Sequence, residues 1–214
     1  MLMNIAVIYY SASGTMHQLA TAVADGARSE GADVRLLRVA ELAPEEAIDR
    51  NPAWRRYVDE VAPLVPLATK DDLRWADAYA FGTPTRFGTP SAQLLEFIDA
   101  QGRLWQEGVF HDKPVTSFTS AINAHGGLES TILAMNNIFY HWGSLIIGPG
   151  YTDPVVYGAG GNPYGTGFAT GMPAQAPGPA VLAAASYQGA RLARITARTA
   201  LTDPSRVLAG VTTS

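Results

Sequence analysis

Residues 4–10, Asn4-Ile5-Ala6-Val7-Ile8-Tyr9-Tyr10, form a nearly unbroken apolar run that stops at Ser11-Ala12-Ser13-Gly14 and gives way at Thr15 to helical spacing. A run without polar alternation belongs to a strand covered on both faces, the situation of a strand inside a parallel sheet. Leu19, Ala20, Val23, Ala24 and Ala27 then recur on one stripe until Gly31 ends the helix. Asp33-Val34-Arg35-Leu36-Leu37-Arg38-Val39 reads as a second strand. Strand, helix and strand in so short a stretch predict a right-handed βαβ unit.

The alternation continues along the chain. A third strand over residues 77–82 ends in Thr83-Pro84-Thr85-Arg86-Phe87-Gly88, and a helix carrying Leu94, Leu95, Phe97 and Ile98 follows. A fourth strand over 114–119, a helix from about 128 to 141, a fifth strand over 144–147 and an Ala-rich helix with Val181, Leu182, Leu192 and Ile195 complete the series. Five strands alternating with helices predict an α/β fold, a doubly wound parallel sheet with helices on both faces. Residues 40–72 are polar and Pro-punctuated, with only local periodicity at Trp54, Tyr57, Val58 and Val61, so a surface excursion with one short helix is expected there. The Gly/Pro-rich residues 148–179 predict a second excursion, and 1–214 is expected to be a single domain.

A chain of 214 residues with 47% hydrophobic content buries one sizeable core. Its formal net charge of -4 offers no basic footprint for phosphate backbones or anionic membranes, which points to a small molecule or another protein as partner rather than nucleic acid. Cysteine is absent, so disulfides, thiolate chemistry and a Cys-based zinc site are excluded, and a reducing cytoplasm fits. No segment has the apolar length of a membrane span, and the first residues lack a leader pattern. A soluble, cytoplasmic protein without a metal centre is expected.

In a doubly wound sheet the ligand sits outside the carboxyl ends of the strands, which singles out the loops after strands one, three and four. Ser11-Ala12-Ser13-Gly14-Thr15 supplies hydroxyls and a glycine just before a helix N-terminus, where backbone N–H groups and the helix dipole converge on a phosphate; the same pattern also serves as a plain N-cap. It lacks the lysine of an NTP-hydrolysing loop and the GxGxxG spacing of a dinucleotide fold. The second loop, Thr83 through Pro90, places Arg86 and Phe87 where a planar ring and its carbonyls would lie, or else makes Phe87 core and Arg86 solvated. The third, Ser120-Ala121-Ile122-Asn123-Ala124-His125-Gly126-Gly127, offers backbone N–H groups beside small residues. Elsewhere His17 and His111 read as surface residues, Trp105 as core filler or site residue, and His141 as a partner of a helix C-terminus or a site residue. Arg191, Arg194 and Arg198 read as a solvated helix face.

Val7-Ile8-Tyr9-Tyr10-Ser11, Phe81-Gly82-Thr83-Pro84-Thr85-Arg86-Phe87-Gly88, Gly102-Arg103-Leu104-Trp105 and Asn162-Pro163-Tyr164-Gly165 together resemble the WrbA-type NAD(P)H:quinone oxidoreductases in order and approximate spacing. The resemblance implies a flavodoxin-like sheet of order 2-1-3-4-5 holding FMN without a covalent bond, with NAD(P)H as co-substrate and a quinone as acceptor. By the same likeness Ser11, Ala12, Ser13, Gly14, Thr15 and Met16 hold the FMN phosphate. Pro84, Thr85, Arg86, Phe87 and Gly88 take the isoalloxazine, and Ser120, Ala121, Ile122, Asn123, Ala124 and His125 follow its other edge through their backbone. His141 is implied close to the ring and Trp105 at the quinone site. Self-association to a dimer or tetramer, with residues 148–179 in the contacts, is implied as well. Two departures stand out: Ser13 occupies a place where many members carry an aromatic residue, and residues 120–125 lack the usual Ser/Thr-Gly richness.

With FMN in place, NAD(P)H and then a quinone would use one flavin face in turn, a ping-pong exchange giving hydroquinone. A one-electron carrier of the flavodoxin type ordinarily surrounds its flavin with acids, whereas residues 84–90 and 120–128 contain no Asp or Glu and include Arg86. A cation near the ring favours the fully reduced anion and hence two-electron chemistry. A regulatory or protein-binding module whose flavin only reports redox state is the reading from a different class.

Overall fold

In the computed structural model, residues 3–202 are described. β1 (Met3–Tyr9) is fully buried from Ile5 onward, as its apolar run requires, and α1 (Thr15–Ser29) turns the stripe Met16, Leu19, Ala20, Val23, Ala24 and Ala27 inward. β2 (Ala32–Arg38) lies parallel to β1 from Met3↔Ala32 to Tyr9↔Arg38, and its intermittent burial suits an edge strand. The excursion that follows holds more structure than one short helix: α2 (Glu45–Asp49), α3 (Pro52–Arg56), a π-helical turn (Tyr57–Val61) and a 3-10 turn (Ala62–Leu64), with α4 (Lys70–Trp75) leading out of it. Local polar chemistry builds it. Asn51 accepts from the N–H groups of Ala53 and Trp54 with Pro52 opening α3, and Arg38 Nε donates to the carbonyls of Ala62 (2.7 Å) and Val65 (3.1 Å).

β3 (Ala78–Arg86) runs past the expected end at residue 82 and pairs back on β4 (Thr89–Pro90), so the stretch read as a turn is a β-hairpin. α5 (Ala92–Asp99), α6 (Gly102–Gln106), β5 (Pro114–Ala121) and α7 (Leu128–Trp142) follow. The fifth strand is split. β6 (Leu145–Ile146) pairs with the start of β5, the chain leaves the sheet through α8 (Pro154–Gly158), and β7 (Gly167–Ala169) returns to pair with the end of β5. The sheet order β2-β1-β3-β5-β6, parallel throughout this path, is the expected 2-1-3-4-5 arrangement.

Alternate residues of β1 feed two cores. Ile5, Val7 and Tyr9 pack with α1 and the last helix, α9 (Pro179–Thr202), while Ala6, Ile8 and Tyr10 pack beneath α4 to α7. α1 and α9 touch through glycine. A Cβ on Gly26 would lie 1.8 Å from the Ser186 carbonyl oxygen and one on Gly189 would lie 1.9 Å from that of Val23. Two of the three arginines expected on a solvated face of α9 are tied down, Arg191 Nε donating to the Gly148 carbonyl at 3.1 Å and Arg194 pairing with Glu30 at 2.7 Å, while Arg198 is exposed as expected.

Candidate active site

The loops after β1, β3 and β5 meet at the carboxyl edge of the sheet around a cleft of about 430 Å³, a size ordinary for small-molecule sites. The end of β7 closes it with Thr170.

The first loop presents the start of α1. Gly14 is its N-cap at φ 94°, a left-handed conformation that glycine adopts without steric cost. No side chain caps this helix and no acid lies in its first turn. The first intrahelical bond runs from Gln18 N–H to Gly14 at 3.2 Å, so the N–H groups ahead of it have no partner within the helix. Ser11 Oγ accepts from the Gly14 N–H at 3.0 Å and shapes the turn, while Ser11, Ala12, Ser13, Thr15 and Met16 line the cleft. An uncapped, acid-free helix N-terminus ringed by hydroxyls fits a phosphate dianion.

The second loop is the tip of the β3–β4 hairpin. Phe87 (φ 54°) and Gly88 (φ 80°) bridge the pair Arg86↔Thr89, the two positive φ values of a type I′ turn. Left-handed geometry costs a non-glycine residue about 1–2 kcal/mol. Phe87 bears that strain with its ring fully exposed at the cleft lip, so it is not a core residue. Thr85 Oγ1 secures the turn by accepting from Gly88 N–H (3.2 Å) and from the Thr131 hydroxyl (2.7 Å). Pro84, Thr85, Arg86 and Phe87 line the cleft, and Arg86 is the one charged residue among its lining.

The third loop turns at Asn123, whose carbonyl accepts from Gly126 N–H (3.0 Å) and whose Oδ1 accepts from His125 N–H (3.0 Å). Ser120, Ala121, Ile122 and Asn123 reach the cleft; Ala124 and His125 are exposed and stand outside its lining. Second and third loops interlock at glycine, since a Cβ on Gly127 would lie 2.7 Å from Gly88 Cα.

Trp105 and His141 are not brought to the cleft of their own chain. α7 starts beside the hairpin, runs against the strand direction and ends where Asp112 N–H meets the Gly143 carbonyl below the start of β5. At 1.5 Å per residue His141 lies about 20 Å along the axis from the cleft end of the helix. Trp105 is half-exposed there and is no core filler. Gly126, part of the expected third loop but not of the expected cofactor contacts, also lines the cleft, as does Thr170, which is signalled in the sequence only by the short apolar stretch Gly167-Phe168-Ala169. His17, expected at the surface, is half-buried with Nδ1 2.6 Å from Tyr9 Oη, and burial lowers its pKa from the ordinary value.

The excursion braces the site from below. Glu41 accepts from Tyr10 Oη (2.8 Å), Trp54 Nε1 (3.0 Å), Gln93 Nε2 (2.9 Å) and the N–H groups of Leu42 and Ala43 (both 2.9 Å). Burial alone would raise the Glu41 carboxyl, but the bonds from Ala43, Gln93, Tyr10 and Trp54 outweigh it and hold the group below its usual value. The Tyr10 phenol is pushed far up by burial and by the neighbouring Glu41 charge, and stays a neutral donor.

Comparisons with known proteins agree with this geometry. The family described as NADPH-dependent FMN reductase matches residues 3–152. The NAD(P)H dehydrogenase (quinone) of Deinococcus radiodurans is 42% identical over 171 residues, 79% of this chain and 85% of that protein. The NAD(P)H dehydrogenase (quinone) of Trichlorobacter lovleyi is 40% identical over 201 residues, 91% of this chain and 98% of the relative. Among solved structures, the WrbA-like flavodoxin from Agrobacterium tumefaciens superposes with a TM-score of 0.62 at 24% identity, covering 92% of this chain and 98% of its own, a likeness of fold. With the family matched over most of its length, the chain belongs to the NADPH-dependent FMN reductase family.

Proposed function

We propose that the cleft holds FMN and that the protein passes two electrons from NAD(P)H to a quinone, as an NAD(P)H:quinone oxidoreductase. The observation that carries this reading is the uncapped, acid-free N-terminus of α1 opening into a cleft whose one charged lining residue is Arg86. The names of the relatives, NAD(P)H dehydrogenase (quinone), support it. When bound, FMN would take a hydride from the nicotinamide and pass the electron pair on to the quinone.

The chain's own residues do the rest. Ser11, Ala12, Ser13, Gly14, Thr15 and Met16 take the phosphate through backbone N–H groups and hydroxyls. Pro84, Thr85, Arg86, Phe87 and Gly88 hold one edge of the ring system, where the Arg86 guanidinium offsets the negative charge of the reduced state. The backbone of residues 120–123 follows the other edge, with Gly126 and Thr170 completing the wall. Phe87 at the lip covers one approach to the site. Both substrates use the face left open, in turn, which gives ping-pong kinetics.

Trp105 and His141 enter this scheme from a second copy of the chain, so the working unit is a dimer or tetramer with residues 148–179 in its contacts. The chain acts as one flavin-holding domain in the cytoplasm. Among the described residues no helix is long and apolar enough to cross a membrane. Steady-state NADH oxidation with and without benzoquinone tests the proposal: turnover that depends on the quinone is expected, and a flavin-loaded protein that oxidises no NADH with quinone present overturns it.

A further inference from the structure

A threonine inside a helix ordinarily returns its hydroxyl proton to a backbone carbonyl one turn back. Thr21 and Thr196 do so here, donating to the His17 carbonyl at 2.9 Å and to the Leu192 carbonyl at 2.8 Å. Thr131, fully buried near the start of α7, does not. Its backbone N–H bonds the Gly127 carbonyl at 3.1 Å, but its hydroxyl leaves the helix and donates to Thr85 Oγ1 at 2.7 Å. Among the described residues this is the one side-chain hydrogen bond that ties the turn of the β3–β4 hairpin, residues 85–89, to another element.

The direction of that bond fixes what Thr85 can do. A hydroxyl oxygen accepts twice and donates once. Thr85 Oγ1 takes the Gly88 N–H at 3.2 Å and the Thr131 hydroxyl at 2.7 Å, so both of its acceptor places are filled from within the fold. The backbone of α7 crowds the same oxygen, since a Cβ on Gly127 would lie 3.1 Å from it. No group among the described residues accepts the Thr85 proton. Thr85 lines the cleft, which leaves that proton for whatever fills it. Without Thr131 the oxygen would have a lone pair to spare and could accept as readily as donate, and the side chain would lose the contact that selects its rotamer.

We infer that Thr131 is a positioning residue for the flavin: it fills the last acceptor place on Thr85 and so commits that hydroxyl to donate to the ring system, at a carbonyl oxygen or an unprotonated ring nitrogen. This rests on the reading of the cleft as an FMN site, with the isoalloxazine along residues 84–88. Thr131 itself is fully buried and stands outside the cleft lining, so it acts only through Thr85. The same bond steadies the turn that carries Arg86 and the left-handed Phe87.

The test uses the full chain stripped of flavin and titrated with FMN and with riboflavin, which lacks the phosphate, following flavin fluorescence. Thr131→Val keeps the shape of the side chain and removes the donor, and it should weaken both flavins by the same factor, about fivefold, the scale of one hydrogen bond. The factors should match because Thr85 belongs to the second loop, whereas the proposed phosphate site lies on the first. Thr131→Ser keeps the hydroxyl and should hold both affinities within about twofold of wild type. In a Thr85→Val background Thr131→Val should have no further effect, because the hydroxyl it orients is already gone. Should Thr131→Val fold poorly by thermal melting, Thr131→Ala, the better helix former, replaces it with the same loss expected. No loss, a loss confined to FMN, a loss in Thr131→Ser as large as in Thr131→Val, or full additivity with Thr85→Val would overturn the inference. A wild-type protein that binds neither flavin overturns the FMN reading itself, a result seen before any variant is made.

Discussion

The indole Nε1 of Trp105 donates to the backbone carbonyl of His141 at 2.8 Å, joining α6 to the end of α7 that lies farthest from the cleft. For this pair to meet a quinone, the cleft must be that of another copy. Leu133 and Tyr140, two turns apart on α7, are exposed beside it, and Tyr151, Tyr157, Tyr164 and Met172 leave further apolar surface uncovered in residues 148–179. A symmetric oligomer, most simply a tetramer, is therefore predicted. Light scattering coupled to size exclusion should show it, activity should fall on dilution, and Trp105→Ala should reduce quinone turnover while leaving the flavin-to-protein ratio intact. A monomer with full activity at micromolar concentration would sink the idea.

Gly14 supplies a second prediction. Gly14→Val forces a β-branched residue to φ 94° at the proposed phosphate site, with an expected backbone cost of about 1–2 kcal/mol or more. The purified variant should carry little FMN. Gly31→Ala is the control, since Gly31 shares a positive φ (82°) but has open space around its Cβ position and lies at the other end of α1. It should lose some stability and keep its flavin. Equal flavin content in the two variants would separate the cleft from the phosphate.

The contrast between these two sites shows what the sequence displayed and what it withheld. The βαβ start and the alternation of strands and helices were legible because parallel strands and amphipathic helices obey fixed periodicities, which residues 4–10 and 15–27 follow in turn, while the strand order came from the family likeness. The hairpin at Phe87 was not, because its turn uses Phe-Gly in place of the usual Asn-Gly or Asp-Gly. The split fifth strand escaped because β6 and β7 are held in place by pairing with β5, which no local pattern reports. Trp105 and His141 follow the family likeness in sequence, yet the direction of α7, a property of the packed fold, sends them away from their own cleft. Tyr57 belongs to the local periodicity that predicts the excursion's short helix, but its burial against Tyr9 and His17 comes from neighbours only in three dimensions.

Arg86 carries a prediction about the electronic character of the proposed flavin site. As the one charged residue of an acid-free lining, it should favour the fully reduced anionic flavin over any one-electron state, so a reductive titration is predicted to proceed in a single two-electron step. Arg86→Glu should lower the midpoint potential and separate the titration into two resolved one-electron stages. A wild-type titration already resolved into two stages would favour the one-electron carrier.

Glu41 predicts a pH dependence of stability. Its folded pKa lies below the ordinary value of 4.5, despite burial that opposes the shift, so the unfolded chain binds the proton more readily. The contribution is fully present above about pH 4.5 and is lost as pH falls through the depressed folded value. Asp72, also lowered against burial by Thr69 and Arg35, acts in the same sense as pH falls below the ordinary carboxyl value of 3.8. Glu41→Gln should therefore be less stable than wild type at pH 7, with the gap closing in acid. Urea melts at pH 7 and pH 3.5 measure it, and a gap that widens in acid would contradict the assignment.

The α1–α9 contact carries the last prediction. Helices approach this closely only where one of them lacks a side chain, and here each contributes a glycine against the backbone of the other: Gly26 faces Ser186, and Gly189 faces Val23. The methyl of Gly189→Ala would lie 1.9 Å from a carbonyl oxygen that belongs to a helix and cannot rotate away, so the helices must part. Overpacking of this kind costs about 1–3 kcal/mol, and the loss of contacts along Leu19, Val23, Ala185 and Leu192 adds to it. At the size of this chain a loss of 2–3 kcal/mol lowers the melting temperature by about 5–10 °C. Gly178→Ala, at a position where a Cβ meets nothing within 4 Å, should leave the melting temperature within a degree or two. Because α1 also carries the first loop at its other end, added FMN should recover part of the loss in Gly189→Ala by binding only the folded state. Melting curves of the two variants with and without FMN decide it, and a Gly189→Ala protein as stable as Gly178→Ala would show that the helices have room that this packing denies.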